Sequence, residues 1–331
     1  MSEPKGRGVT WTEERGTSDE GRGRSEGGMG RWAGARRRAE NTAAGLVERS
    51  AAAYASAVPT EPQDDGFFGP GSVTWRVTAD LSAPVAGLRS LLMQALHPLA
   101  MAGVDQHSNW RLDWVGRLAA TSAYEATVTF GDRASASRTA QQVRKIHEHV
   151  RGVDTVTGQP YAAGDPALLL WVHAALVDSA LAASRLFGTP LKDADADAYV
   201  GEMTVAAELL GVPREIIPAS VAALDRYIAG VCPDLRRTPA AAESMGYLLD
   251  PPGLDEDIAE LWQDIRDAAV IALPGWAREL YGYPEPPTLT AERRTEIRQA
   301  LGVLDTVFLG EPGVLEARQR LALRMRSAGK T

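Results

Sequence analysis

Along most of the chain apolar residues return every three or four positions, and prolines and glycines separate one such run from the next. That spacing keeps an apolar stripe on one side of a helix, so it predicts a succession of amphipathic helices and an all-α fold. The helical pattern begins at "GLVERSAAAYAS" and is broken by "TEPQDDGFFGPGS". Only "SVTWRVT", residues 72–78, alternates in the manner of a strand. "PVAGLRSLLMQALHPLAMAGV" predicts a long helix kinked at Pro98, and "WVGRLAATSAYEATVTFG" predicts a second. "DRASASRTAQQVRKIHEHVRG" carries its own punctuation, with Asp132 as N-cap and Gly152 as the stop. A turn-rich stretch, "DTVTGQPYAAGDP", leads into the greasiest helix of the chain, "LLLWVHAALVDSALAA", for which Asp165 is the N-cap and Pro166 the first residue. "DADADAYVGEMTVAAELLG", "PASVAALDRYIAGV", "PAAAESMGYLL" and "EDIAELWQDIRDAAVIALPGWARELYG" continue the pattern, and two C-terminal helices complete it. No internal repeat and no second domain is visible.

Composition divides this pattern into two parts. Residues 1–42 are rich in Gly, Arg and Glu and poor in large apolar side chains, the make-up of a disordered tail, which leaves 43–331 as one folded domain. A hydrophobic content of 44% over 331 residues is enough for a substantial core. The formal net charge of -8 disfavours nucleic acid and anionic lipid as partners. A single cysteine, Cys232, rules out an intrachain disulfide and any multi-cysteine metal site, so the cytoplasm is the expected compartment. His173 and Asp178 interrupt the most apolar stretch before it reaches the length of about 18 residues that a membrane span needs, so none is expected. No N-terminal stretch reads as a signal peptide.

Five histidines hold most of the candidate chemistry. His173 has Leu169, Leu170, Leu176 and Val177 as its same-face neighbours, so nothing on its own helix can satisfy the imidazole. Two readings are open. It is a core histidine bonded to a carbonyl of another helix, or a metal ligand whose second nitrogen donates to such a carbonyl. On the helix before it, Ala136, Ala140, Val143, His147 and Val150 form an inward stripe, with Arg144 at its edge and His149 facing solvent. Arg144 is either an ion-pair partner or a guanidinium facing an anionic group. His97 stands at the Pro98 kink, where freed carbonyls offer it a partner, and His107 follows in a polar loop. Arg117, Thr121 and Tyr124 share one helix face, which either lines a pocket or is solvated. Several familiar sites are absent: no acid stands three residues before a histidine, and there is no HExxH, Walker loop, Gly-x-Ser-x-Gly elbow or dinucleotide fingerprint.

Taken in order, "FFGPGSVTWRV", "LLMQALHPLAMAGVDQHS", "GRLAATSAYEATVTFG", "VRKIHEHVRGVDTVTGQPYAAGDPALLLWVH" and "WARELYG" closely resemble the family that includes the latex clearing proteins and the mycophenolic-acid-pathway oxygenase. The resemblance spans roughly residues 66–284. It implies a globin-like helical domain holding haem b, and oxidation of a small lipophilic, isoprenoid-like substrate by dioxygen or peroxide. It makes His173 the iron ligand, Arg144 and His147 the catalytic groups on the distal side, and it leaves His97, His107, Arg117 and Thr121 as candidates to bind the cofactor. Two features of latex clearing proteins are missing: "EATVTFG" offers only Glu125 as an acid, and Lys145 is followed by Ile146 where a lysine–threonine pair would stand. The alternatives from other classes are a haem- or lipid-binding protein without turnover and a cofactor-free structural module.

Overall fold

The computed structural model describes residues 64–254, 256–283 and 285–308. The expected N-terminal tail, the "GLVERSAAAYAS" helix and the last C-terminal helix lie outside them. The described residues form helices α1 (Val73–Thr78), α2 (Ala83–Ala95), α3 (Pro98–His107), α4 (Trp114–Phe130) and α5 (Arg133–His149), then strands β1 (Arg151–Val153) and β2 (Pro160–Ala162). Helices α6 (Pro166–Phe187), α7 (Asp193–Leu210), α8 (Val221–Val231), α9 (Pro239–Leu249), α10 (Glu256–Ala272), α11 (Gly275–Tyr281) and α12 (Ala291–Phe308) follow. This is the all-α architecture that the periodicity predicts.

Helix α6 is the axle. It packs most extensively on α2 and is also contacted by α1, α3, α7, α8, α10 and α12. Trp171, Ala174 and Ala175 are sealed in the shared core, so α6 is apolar on most of its circumference for the reason any enclosed helix is. Among the described residues it is the one helix long and apolar enough to cross a membrane, but its neighbours in the fold already cover that surface. Arg89 of α2 ties the centre together: its guanidinium donates to the Ala272 carbonyl at 2.7 Å, to Ser179 Oγ at 2.6 Å and to Asp178 Oδ2 at 2.6 Å.

Local signals place most helix ends as expected. Asp132 accepts from Ser135 N, Asp165 accepts from Ala167 N, and Pro166 opens α6. Four expectations need correction. "SVTWRVT" is a helix, not a strand: Thr74 is as buried as Val73 and Trp75, so the alternation never reflected a solvent face. Ser72 caps it, and the Glu202 carboxylate of α7 accepts from Val73 N, Thr74 N and Thr74 Oγ1. Pro98 does not kink one helix but separates two, because the residue before a proline is pushed to extended backbone and His97 adopts φ -83°, ψ 114°. Helix α5 stops at His149 rather than at Gly152, which pairs with Tyr161 in a short hairpin that the turn-rich reading missed. Pro274 likewise divides the last long pattern into α10 and α11.

Candidate functional site

The position of His173 follows from the geometry of α6. Leu168 packs against Ala102 of α3 and Tyr161 of β2, whereas Leu169 and Leu170 pack against Ala207, Val212 and Ile217 at the end of α7. At about 100° per residue, His173 projects between Leu169 and Leu170, toward the end of α7 and away from the Trp171 side. Val172, about 100° round the helix from His173, is 37% exposed, and Leu176 between these bearings is half-buried. His173 itself is only 9% exposed and makes no hydrogen bond among the described residues. Burial alone lowers its pKa to about 4, so the imidazole is neutral at pH 7.

Helices α4 and α5 are each 17 residues long and are joined by Gly131 and Asp132 into an antiparallel hairpin. Arg117 lies 13 residues before the end of α4 and His147 lies 14 after the start of α5, which sets the two side by side. Helix α7 packs on both α5 and α6, and α1 packs on α4, α6 and α7, so these two helices link the hairpin to α6. His147 is half-buried, and its Nδ1 is sealed from solvent without a hydrogen-bond partner. Its pKa is lowered first by burial and then by the positive charge of Arg117. Arg117 is exposed, and desolvation lowers its pKa. Tyr124, two turns further along the same face of α4, has a sealed hydroxyl without a partner, and burial raises its pKa. Thr121 is exposed, and its hydroxyl donates to the Arg117 carbonyl of its own helix.

The remaining candidates separate. His107 is the last residue of α3, not part of a loop; it is exposed, with its ring edge-on to Tyr161 and next in sequence to Ser108, whose Oγ takes a 3.3 Å hydrogen bond from Arg117. His97 is on the far side of α6: its ring lies 6.2 Å from that of Trp171, and residues two apart on a helix do not share a face. Its Nδ1 is also sealed and unpartnered, and burial lowers its pKa. Arg144 is exposed in a groove of about 520 Å³ between α5 and α7 that is also lined by Phe67, Arg138 and Glu208. Its guanidinium lies against the left-handed Gly211, where the negative end of the α7 dipole attracts a cation. His149 is exposed, as its position off the stripe predicts, and its Nδ1 meets the Lys145 carbonyl at 2.8 Å. Ser108 was not foreseen, since nothing in the sequence signals a contact made by the tertiary fold. Cys232 is an ordinary helix-end residue, half-buried just after α8.

Among the described residues no three His, Cys, Asp or Glu side chains converge as a metal cage. What the fold offers is one buried, neutral imidazole on an apolar helix, with two unpartnered polar groups, His147 Nδ1 and the Tyr124 hydroxyl, on the α4–α5 hairpin. Fold and site together define an all-α protein built around a single buried imidazole. The chain belongs to the family described as ER-bound oxygenase mpaB/B'/Rubber oxygenase, catalytic domain, whose model matches residues 75–306. Its domain is therefore an oxygenase-type enzyme domain. Comparison with curated proteins and with solved structures gives no match.

Proposed function

We propose that the protein is a haem-b-dependent oxygenase that oxidises a small lipophilic, isoprenoid-like substrate with dioxygen or peroxide, and that His173 is the iron ligand. The observation that carries this reading is the His173 imidazole, buried on an apolar face, unbonded and held neutral. An unsatisfied buried polar group costs about 1–3 kcal/mol, a cost that a ligand on that nitrogen removes. A site with one protein ligand also fits a macrocycle that supplies the remaining donors, and no protein-only cage is built among the described residues. The haem would supply the redox chemistry that activates the oxidant.

The other residues act around it. His147 is neutral, so one ring nitrogen can donate and the other accept, which suits it to hold a bound oxidant or pass a proton. Arg144, one turn earlier on α5, adds positive charge to the same helix, while its contact with the end of α7 fixes the helix in place. Arg117, beside His147 on α4, would bind the cofactor through its positive charge. On this reading the enzyme works in the cytoplasm, where its one thiol stays reduced. Purified after expression with a haem supply, the protein should show a Soret band that shifts with dithionite and carbon monoxide, and His173→Ala should lose it. A colourless wild-type protein overturns the proposal.

A further inference from the structure

Among the described residues the four most exposed large apolar side chains are Leu112 (87%), Ile146 (61%), Val153 (54%) and Val156 (50%), and all four come to one end of the molecule. There α3 finishes, α4 begins, α5 finishes and the β1–β2 hairpin turns back. The parts of this end are bonded to one another. Gln106 of α3 donates to the Val153 carbonyl at 3.0 Å and accepts from Tyr161 Oη at 2.8 Å. Arg111 of the α3–α4 loop donates to Asp105 of α3 at 2.7 Å, and Arg151 of β1 donates to the Glu148 carbonyl of α5 at 3.1 Å. Apolar side chains scattered singly over a surface need no explanation, but their concentration at one end does.

Hydrogen-bonded turns hold two of the four outward. The Asn109 carbonyl accepts from Leu112 N at 2.8 Å and from Asp113 N at 3.0 Å. Leu112 therefore stands out from a turn anchored by Trp110, edge-on to Tyr247, and by Trp114, edge-on to Trp262. In the hairpin turn the buried Asp154 carboxylate accepts from Val156 N, Thr157 N and Thr157 Oγ1, which fixes Val156 in its exposed place. Gly152 faces Tyr161 and Gln106, so strand alternation turns Arg151 and Val153 to the outer face of the hairpin.

Charge says which surface these tips fit. The net charge of -8 disfavours an anionic partner for the chain as a whole, but this end departs from the average. Arg111, Arg117, Lys145 and Arg151 are exposed here, as are His107 and His149. Of the acids at 105, 113, 148 and 154, only Asp113 and Glu148 are exposed: Asp154 is buried in its turn, and Asp105 is half-buried against Arg111, which Glu243 also holds. Apolar tips rimmed by Arg and Lys suit a phospholipid surface, where the tips enter the acyl boundary and the cations stay among the phosphates. Two tips on separate turns also suit a deformable surface better than a shaped protein groove.

We propose that this end of the molecule docks the protein on anionic phospholipid membranes, with Leu112 and Val156 entering the headgroup region and the exposed cations resting on phosphates. The docking needs neither haem nor turnover, so it stands or falls apart from the oxygenase reading. On that reading it also sets the α4–α5 hairpin against the phase in which a lipophilic substrate dissolves.

The test is sedimentation of the full-length protein with phosphatidylcholine vesicles that contain or lack phosphatidylserine. The wild type should bind the phosphatidylserine vesicles about tenfold more tightly, and added salt should weaken that binding. Leu112→Asp and Val156→Asp, on separate turns, should each lower it by about fivefold or more. Both side chains are exposed, so an unchanged thermal midpoint shows that the fold is kept, and either variant alone reads the proposal. Lys145→Glu combined with Arg151→Glu should remove the preference for phosphatidylserine. No sedimentation with either vesicle, or equal sedimentation with both, overturns the proposal. So does binding that persists in both aspartate variants, which is what attachment through the Arg-rich residues 1–42 would give. A dimer that Leu112→Asp dissociates, in a protein that ignores vesicles, would assign this end to a second copy of the chain and overturn it as well.

Discussion

At the scale of single residues, the chemistry turns on His173 remaining uncharged. Its folded pKa of about 4 lies below the ordinary value near 6.5, so between these limits the unfolded chain takes up a proton that the folded chain refuses. Stability of the cofactor-free protein therefore falls as the pH drops below about 6.5, and the His173 share of the loss, about 3 kcal/mol, is complete below about pH 4. His97 and His147, also lowered by burial, act in the same direction. Urea unfolding at pH 7 and pH 4 should show the loss, and His173→Leu should remove its largest part. The same substitution should stabilise the cofactor-free protein at pH 7 by about 1 kcal/mol, since it replaces an unbonded imidazole with a side chain that suits the site. An unchanged pH slope in His173→Leu contradicts the account. This residue was legible in the sequence as an imidazole without a partner on its own helix. Its lack of any partner at all was not legible, because the fold alone decides which carbonyls reach it.

At the scale of elements, what local chemistry dictates was readable, and what distant segments dictate was not. Asp132, Asp165 and Pro166 mark helix starts through bonds that span two or three residues. The α1 helix depends instead on Glu202, some 128 residues away, and so its sequence suggested a strand. The β1–β2 hairpin depends on Gly152, where an added Cβ would lie 2.8 Å from Tyr161 Oη and 2.9 Å from Gln106 Oε1. Gly152→Ala should cost about 1–2 kcal/mol in urea unfolding, through displacement of the Tyr161 to Gln106 hydrogen bond. The joint between α2, α6 and α10 is more sensitive. Asp178→Ala would leave the Arg89 guanidinium, 3% exposed, without its carboxylate, and should destabilise the protein by about 3 kcal/mol. A loss below about 0.5 kcal/mol would mean that the Ser179 and Ala272 bonds suffice alone.

At the scale of the whole molecule, an apolar helix is wrapped by seven others, and His173 is buried within that enclosure. The architecture and the family were legible because helical periodicity and an ordered series of motifs survive in one sequence. The arrangement of the candidates was legible only in part: Arg117 and His147 come side by side on the α4–α5 hairpin, whereas His97 lies against Trp171 on the opposite side of α6 from His173. Sequence spacing fixes which residues share a helix face but not which faces meet. The central claim is that α6 presents His173 to a haem iron, and the most direct measurement is chemical rescue. His173→Gly should purify with little haem and regain a Soret band when haemin and free imidazole are added together, as the small ligand fills the place of the lost side chain. A His173→Gly protein that holds haem with the wild-type spectrum in the absence of imidazole would contradict it.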